Sequence, residues 1–369
     1  MKVLTLVGTR PEIIKLSRVV NAVTNSFDHL FVHSGQNYDY ELNEIFFEQL
    51  DIPKPDYFLG INSSITTSPS EFVGRAIIAL DELLARTTPQ AILLLGDTNS
   101  GLATIAAKKR KIPIFHMEAG NRCFDSRVPE ETNRRIIDHF SDINLVYTEH
   151  ARRNLIAEGL PADRIYLTGS PMREVLDYNR PNILASTVIE RLSLRPNEYI
   201  VASFHREENV DDRTRLTTLA ETLGRVSSEF DLPIVISLHP RTRKRIEQFG
   251  LRLPKNILEL KPLGFHDYVQ LQRGSFCVLS DSGTVTEESA LEGFAAVNVR
   301  DAHERPEGVD VGTVPMTGIQ SERVIAGIHL SRNRRIRREL PDLPLGYEPI
   351  DVSHRVANTI LSYLNYGLS

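Results

Sequence analysis

Lys2-Val3-Leu4-Thr5-Leu6-Val7-Gly8-Thr9-Arg10-Pro11-Glu12-Ile13-Ile14-Lys15 opens the chain with an apolar, strand-like run that stops at a glycine and passes into a helix. Far downstream, Cys277-Val278-Leu279-Ser280-Asp281-Ser282-Gly283-Thr284-Val285-Thr286-Glu287-Glu288 repeats the arrangement. A strand, a tight turn and a helix make half of a βαβ unit. The helix start presents backbone N–H groups and the positive end of the helix dipole to an anion. Both turns are therefore read as anion sites, and a chain built this way twice is expected to hold a phosphorylated ligand between two lobes.

Working outward, strand-like and helical runs alternate almost throughout, the pattern of parallel sheets. The first half reads as strands at Lys2–Val7, His29–His33, Ala91–Leu95, Ile112–His116, Ile143–Tyr147 and Ile165–Thr168, with helices at Pro11–Val23, Ser70–Arg86 and Asn99–Arg110. The second half starts again with Tyr199–Phe204, Ile234–Leu238, Ile257–Leu260, Cys277–Leu279 and Ala296–Val299, with helices including Leu216–Glu229 and Thr284–Glu292. A seam is expected at Pro171–Arg195, where a helical stretch and Pro181 interrupt the rhythm. The fold class is α/β: two Rossmann-like, doubly wound lobes, residues 1–175 and 176–350, with a central cleft and a final helix in 351–369.

The bulk properties bound the function. With 369 residues the chain suits two α/β domains, and its net charge of −5 argues against general nucleic-acid binding. The basic run Ser331-Arg332-Asn333-Arg334-Arg335-Ile336-Arg337-Arg338 is read as a solvated face. Two cysteines, Cys123 and Cys277, form no disulfide framework and no metal-ligand spacing, which fits a reducing, cytoplasmic setting. No segment reaches the ~20 apolar residues that a membrane span needs.

Polar groups collect just after the strands, where ligands bind in such sheets. They are Arg10 and Lys15; Gly96-Asp97-Thr98-Asn99-Ser100; Glu118-Ala119-Gly120-Asn121-Arg122; Pro129-Glu130-Glu131-Thr132-Asn133-Arg134; His205-Arg206-Glu207-Glu208-Asn209; and His239-Pro240-Arg241. Each has a plainer alternative. Asp97 suits an N-cap, Glu130 or Glu131 a first-turn dipole partner, His205 a hydrogen-bonded core histidine, and Glu287-Glu288 either a solvated face or a ribose contact. His116 and Glu118 lack a third ligand at a useful spacing, so no metal is read. Asp97, Glu118 and Glu130 fall in the first lobe, and neighbouring carboxylates can divide acid and base roles. No turn carries Gly-x-Gly-x-x-Gly, so no hydride cofactor is read either. Elimination, with a base taking a proton while a diphosphate leaves, then becomes an available route at an unactivated sugar carbon.

These phrases, with Arg300-Asp301 and Glu304-Arg305-Pro306-Glu307, resemble the non-hydrolysing UDP-N-acetylglucosamine 2-epimerase family over essentially the whole chain. The resemblance implies the B-type glycosyltransferase fold and a cofactor-free reaction on a UDP-activated 2-acetamido sugar through a 2-acetamidoglycal. It implies acid and base roles for Asp97, Glu118 and Glu130, with His205 assisting the diphosphate. Arg10 would contact phosphate, Ser282 and Gly283 the diphosphate, and Glu288 the ribose. Lys15 would support the carboxylates or the substrate, with Arg134, His239, Thr284 and Arg305 as further substrate contacts. A homodimer is expected.

Two phrases depart from the commonest branch: Gly120-Asn121-Arg122-Cys123-Phe124-Asp125 and Ser34-Gly35-Gln36-Asn37-Tyr38-Asp39. Both resemble more closely the branch that makes UDP-N-acetyl-L-fucosamine from UDP-2-acetamido-2,6-dideoxy-L-talose. Phe124 would suit a 6-methyl group, or would pack. Rival functions are UDP-N-acetylglucosamine 2-epimerase, a hydrolysing epimerase, a glycosyltransferase on the same fold, and a UDP-sugar sensor without turnover.

Overall fold

The computed structural model describes residues 1–36, 40–61, 68–238, 240–302, 304–337 and 342–366. The chain divides into two compact units, Met1–Tyr178 with Leu345–Ser369, and Asn179–Pro344. Among the described residues, no helix is long and apolar enough to cross a membrane.

The first unit is built on β1 (Lys2–Val7), β2 (Asp28–His33), β3 (Tyr57–Phe58), β4 (Ala91–Leu95), β5 (Ile114–Met117), β6 (Ile143–Val146) and β7 (Ile165–Leu167). They form one parallel sheet in the order β3-β2-β1-β4-β5-β6-β7. The second unit has β8 (Ile200–Ser203), β9 (Ile234–Ser237), β10 (Ile257–Leu260), β11 (Cys277–Ser280) and β12 (Ala296–Asn298). They pair in parallel in the order β10-β9-β8-β11-β12. Helices occupy the crossovers, so the central strands are covered on both faces and read as unbroken apolar runs. In the second unit Ile200, Ala202 and Phe204 join one buried cluster while Tyr199 and Val201 join another, as the two-residue period of a strand requires.

Each order reverses once, between β1 and β4 in the first sheet and between β8 and β11 in the second. Such a reversal opens a crevice at the carboxyl ends of the strands. The two quoted turns follow β1 and β11, so each stands at the reversal of its own sheet.

Three details differ from the sequence expectations. The short edge strand β3, with Tyr57 and Phe58 both exposed, has no apolar pattern to announce it. The helix expected over Asn99–Arg110 is two pieces, Asn99–Leu102 and Ile105–Lys109. Between them Ala103 and Thr104 make tight three-residue bonds, and the Thr104 hydroxyl donates to the Gly101 carbonyl at 2.7 Å. The basic run is not simply a solvated face. Its helix, Ser321–Ile336, lays the Arg332 guanidinium 4.3 Å from the centre of the Phe276 ring. Burial lowers Arg332 and Arg335 below the usual guanidinium range.

The helix Val352–Tyr366 packs on the helix Arg10–Ser26, and Gly346 marks the approach of this last segment to the first sheet. Gly346 has φ +99°, and a Cβ there would stand 2.3 Å from the Tyr147 carbonyl oxygen. Gly346→Ala is expected to cost about 2 kcal/mol or more, because left-handed strain and a backbone clash combine. Thermal melting should show a drop of several degrees; an unchanged melting curve contradicts this packing.

Candidate functional site in the strand-end turns

The turn after β1 is closed by its own helix. Thr9 is the N-cap, Pro11 sits in the first turn, and Glu12 completes a capping box. The Glu12 carboxylate accepts from Gly8 N–H at 2.7 Å, Thr9 N–H at 2.6 Å and the Thr98 hydroxyl at 2.8 Å. The donors expected to meet an external anion at Gly8 and Thr9 are thus taken by Glu12, and that expectation is corrected. Gly8 allows the approach, since a Cβ would meet Ser100 Oγ at 2.2 Å and Ser34 Oγ at 2.5 Å. Burial pushes the Glu12 carboxyl up to about 7 against the pull of these hydrogen bonds. Arg10, half-buried at the helix start, places its guanidinium 5.8 Å from the centre of the Phe46 ring.

One turn further along the same helix, Lys15 Nζ meets Glu118 Oε2 at 2.7 Å, the side chains being only 4% and 14% exposed. Glu118 follows β5 with φ +62°, a left-handed backbone uncommon outside glycine and characteristic of constrained sites. The Tyr147 hydroxyl donates to the same carboxylate oxygen at 3.3 Å, and Asn121 Nδ2 lies 3.5 Å from the other. Lys15 Nζ also stands 5.6 Å from the centre of the Tyr147 ring.

Between these two turns comes that of β4. Thr98, not Asp97, occupies the N-cap of the helix Asn99–Leu102, so the capping alternative for Asp97 is overturned. The Asp97 carboxylate instead meets Arg134 Nη2 at 2.7 Å. Asn133 Nδ2 donates to the Asp97 carbonyl and to Asn99 Oδ1, both at 3.0 Å. Arg134 and Asn133 belong to the helix Pro129–Phe140, whose first turn carries Glu130 and Glu131. Glu131 is buried, pairs with Arg134 and Arg135, and accepts from Cys123 N–H at 3.0 Å. Glu130 is half-buried beside it. Phe124 is 72% exposed, which removes the packing alternative.

In the second unit, His205 follows β8 and Asp281 follows β11, the two strands at the reversal. Asp281 is fully buried and accepts from the backbone N–H groups of His205 and Arg206 and from Asn209 Nδ2, each at 3.1 Å. Its Oδ1 lies 3.1 Å from His205 Nδ1. Burial raises this carboxyl, but His205 and the hydrogen bonds outweigh it and hold the group below the usual carboxylate range. The His205 side chain is 38% exposed, so it is not a core histidine. It is oriented by a buried acid while one edge stays accessible.

The turn Ser282-Gly283-Thr284 is half-buried, with Ser282 Oγ 2.9 Å from Thr284 Oγ1 and a Gly283 Cβ position 3.5 Å from Glu304 Oε2. Glu288 accepts from Gln272 Nε2 at 2.8 Å, and Arg305 pairs with buried Glu287 at 3.3 Å, so the Glu287-Glu288 pair is not a solvated face. A cavity of 340 Å³ opens beside the end of β9, lined by Leu238, Arg243, Lys244, Glu247, Lys261 and Pro262. His239, Asn37, Tyr38, Asp39 and the Arg338 end of the basic run lie outside the described residues.

A family model described as UDP-N-acetylglucosamine 2-epimerase matches residues 21–361. The chain belongs to this family. It is 36% identical over 343 residues to the UDP-2,3-diacetamido-2,3-dideoxy-D-glucuronate 2-epimerase of Pseudomonas aeruginosa, covering 91% of this chain and 94% of that one. Among solved structures it resembles the UDP-N-acetylglucosamine 2-epimerase of Rickettsia bellii, with 47% identity, a TM-score of 0.90, and 99% and 97% of the two chains covered. It also resembles the UDP-GlcNAc 2-epimerase of Methanocaldococcus jannaschii in complex with UDP-GlcNAc and UDP, with 31% identity, a TM-score of 0.92, and coverage of 98% and 100%.

Glu12 and Asp281 lie within the quoted turns and Tyr147 at a strand end, but sequence reasoning assigned none of them a role in the site. The Thr9-x-x-Glu12 spacing was a capping-box signal, and Asp281 directly follows the strand Cys277–Ser280. Tyr147 had no local signal, because its partner is distant in sequence.

Glu12 gives a pH test. The folded state keeps a proton up to about pH 7 that the unfolded chain gives up near 4.5. Its contribution to stability is therefore full below about 4.5 and is lost as pH rises towards 7. Urea unfolding of wild type and Glu12→Gln across that window should show a falling difference in favour of wild type; parallel profiles contradict the shifted carboxyl.

Proposed function

We propose that this chain epimerises C2 of a UDP-2-acetamido sugar without an added cofactor, by eliminating UDP and adding it back. The observation that supports this most is the pair of cation-held carboxylates in neighbouring turns, Glu118 on Lys15 and Asp97 on Arg134. A cation at hydrogen-bonding distance balances each charge and fixes each oxygen, as a positioned proton acceptor requires.

In the forward step a carboxylate takes the C2 proton, the C–H electrons form the C1=C2 bond, and the C1–O bond breaks with its electron pair leaving on UDP. In the return step a UDP oxygen bonds C1 and a proton reaches the opposite face of C2. Asp97, Glu118 and Glu130 are proposed for the proton transfers, and His205, oriented by Asp281, for the diphosphate. Arg10, Ser282, Gly283 and Thr284 are proposed phosphate contacts. Glu288 is proposed for the ribose, with Lys15, Arg134, His239 and Arg305 as further substrate contacts. The cavity beside β9 is a candidate for the nucleoside.

For the sugar, we propose UDP-2-acetamido-2,6-dideoxy-L-talose, giving UDP-N-acetyl-L-fucosamine. The phrase Gly120–Asp125 and the exposed Phe124 ring, six residues past Glu118 and three past Asn121, support an apolar 6-methyl group. A second reading, UDP-N-acetylglucosamine to UDP-N-acetylmannosamine, is favoured by the names of the relatives from Rickettsia bellii and Methanocaldococcus jannaschii. Initial rates with the two sugars separate them: a higher kcat/KM for the 6-deoxy-L-sugar is expected, and a preference for the gluco sugar overturns that choice. Asp97→Asn, Glu118→Gln and His205→Ala should each lower kcat by ~10²-fold or more while UDP still binds. Wild-type rates in all three would sink the residue assignment, and steady release of free UDP would point to hydrolysis or transfer instead.

A further inference from the structure

Asp138 sits in the helix Pro129–Phe140 with no exposure to solvent, and its two oxygens serve several turns at once. Both lie 3.2 Å from the Gly120 N–H nitrogen, two residues beyond Glu118. Oδ1 lies 2.9 Å from His116 Nδ1, and the other ring nitrogen of His116 lies 2.8 Å from the Gly96 carbonyl oxygen, next to Asp97. Oδ2 accepts from Arg122 Nη1 at 2.7 Å, and the same guanidinium meets Glu158 at 2.6 Å on its far side. A buried carboxylate is expensive unless it is paired and hydrogen-bonded, and here Arg122, His116 and Gly120 supply the partners.

Two residues before the N–H from which this carboxylate accepts, Glu118 has the strained φ +62°, while Gly120 has φ +79°, open to glycine, and a Cβ on it would stand 2.4 Å from the Ala151 carbonyl oxygen. Left-handed backbone persists only where the surroundings over-determine it. The Glu118 turn is pressed against Ala151 on one side and hydrogen-bonded to Asp138 on the other. The Asp97 turn is reached from the same acid through one imidazole.

Resting on the epimerase reading above, the geometry points to Asp138, acting through Gly120 N–H and His116, as the positioning residue that sets the spacing of Asp97 and Glu118. It touches no reacting atom. Its effect is on where two proton-transferring oxygens stand, and misplacement of such groups by about 1 Å costs about 10²-fold in rate.

The test measures kcat, KM, UDP affinity and melting temperature on the full chain for wild type, Asp138→Asn, His116→Gln and Glu158→Gln. Asp138→Asn and His116→Gln are expected to lose about 10²-fold in kcat, with KM and UDP affinity within about threefold of wild type. Glu158→Gln, which alters the far side of Arg122 and a contact with His139 but none of the groups on Asp138, is expected to melt earlier and keep wild-type kcat. A purely structural role predicts instead that all three melt earlier while the folded fraction turns over normally, and that result overturns the inference. If Asp138→Asn does not fold, His116→Gln decides in the same way, and wild-type kcat in it overturns the inference. Absence of epimerisation by wild type overturns the functional reading itself and the positioning role with it.

Discussion

The Lys15–Glu118 ion pair is the contact on which the candidate chemistry depends. It joins the helix after β1 to the turn after β5, across β4, and so ties together the strands around the reversal of the first sheet. At 2.7 Å between nearly buried side chains it is not the loosely held surface pair whose worth is near zero. Removing one partner would leave a desolvated charge, and such losses exceed the net value of the pair. Tyr147 adds a third group to the same oxygen, and the close approach of Gly346 to the Tyr147 carbonyl gives the last segment of the unit a part in holding it.

The second unit solves the same problem differently. His205 must be held by one nitrogen while another edge stays accessible, and the holding group is a carboxylate with no solvent exposure. Asp281 is affordable there because two backbone N–H groups, Asn209 and His205 surround it. Both units thus place candidate site residues after strands at or next to the single reversal of strand order and hold them with buried partners of opposite or complementary character.

Most strands were legible because a parallel sheet covered on both faces must be written as continuous apolar runs. The limits appear where tertiary contacts decide. Tyr57–Phe58 pairs only at an edge, and the break after Leu102 reflects tight bonding at Thr104 and the packing of Gly101, whose Cβ position lies 2.7 Å from Ile137. At the site, the polar residues after each strand were visible, but how their bonds are spent was not. Glu12 takes the N–H groups of its own turn, Thr98 rather than Asp97 holds the N-cap position, and Asp97 pairs with Arg134. The Asp97–Arg134 pairing joins residues dozens of positions apart, so no local pattern encodes it, whereas the Glu12 bonds follow the local capping-box spacing.

The central claim is that carboxylates of the first unit move a proton at C2. Proton NMR of the purified protein turning over a UDP-2-acetamido sugar in D2O tests it most directly. The account predicts deuterium at C2 of the new 2-epimer, appearing together with that epimer. Epimer formed with protium retained at C2, or tight UDP binding with no exchange on either sugar, would contradict it.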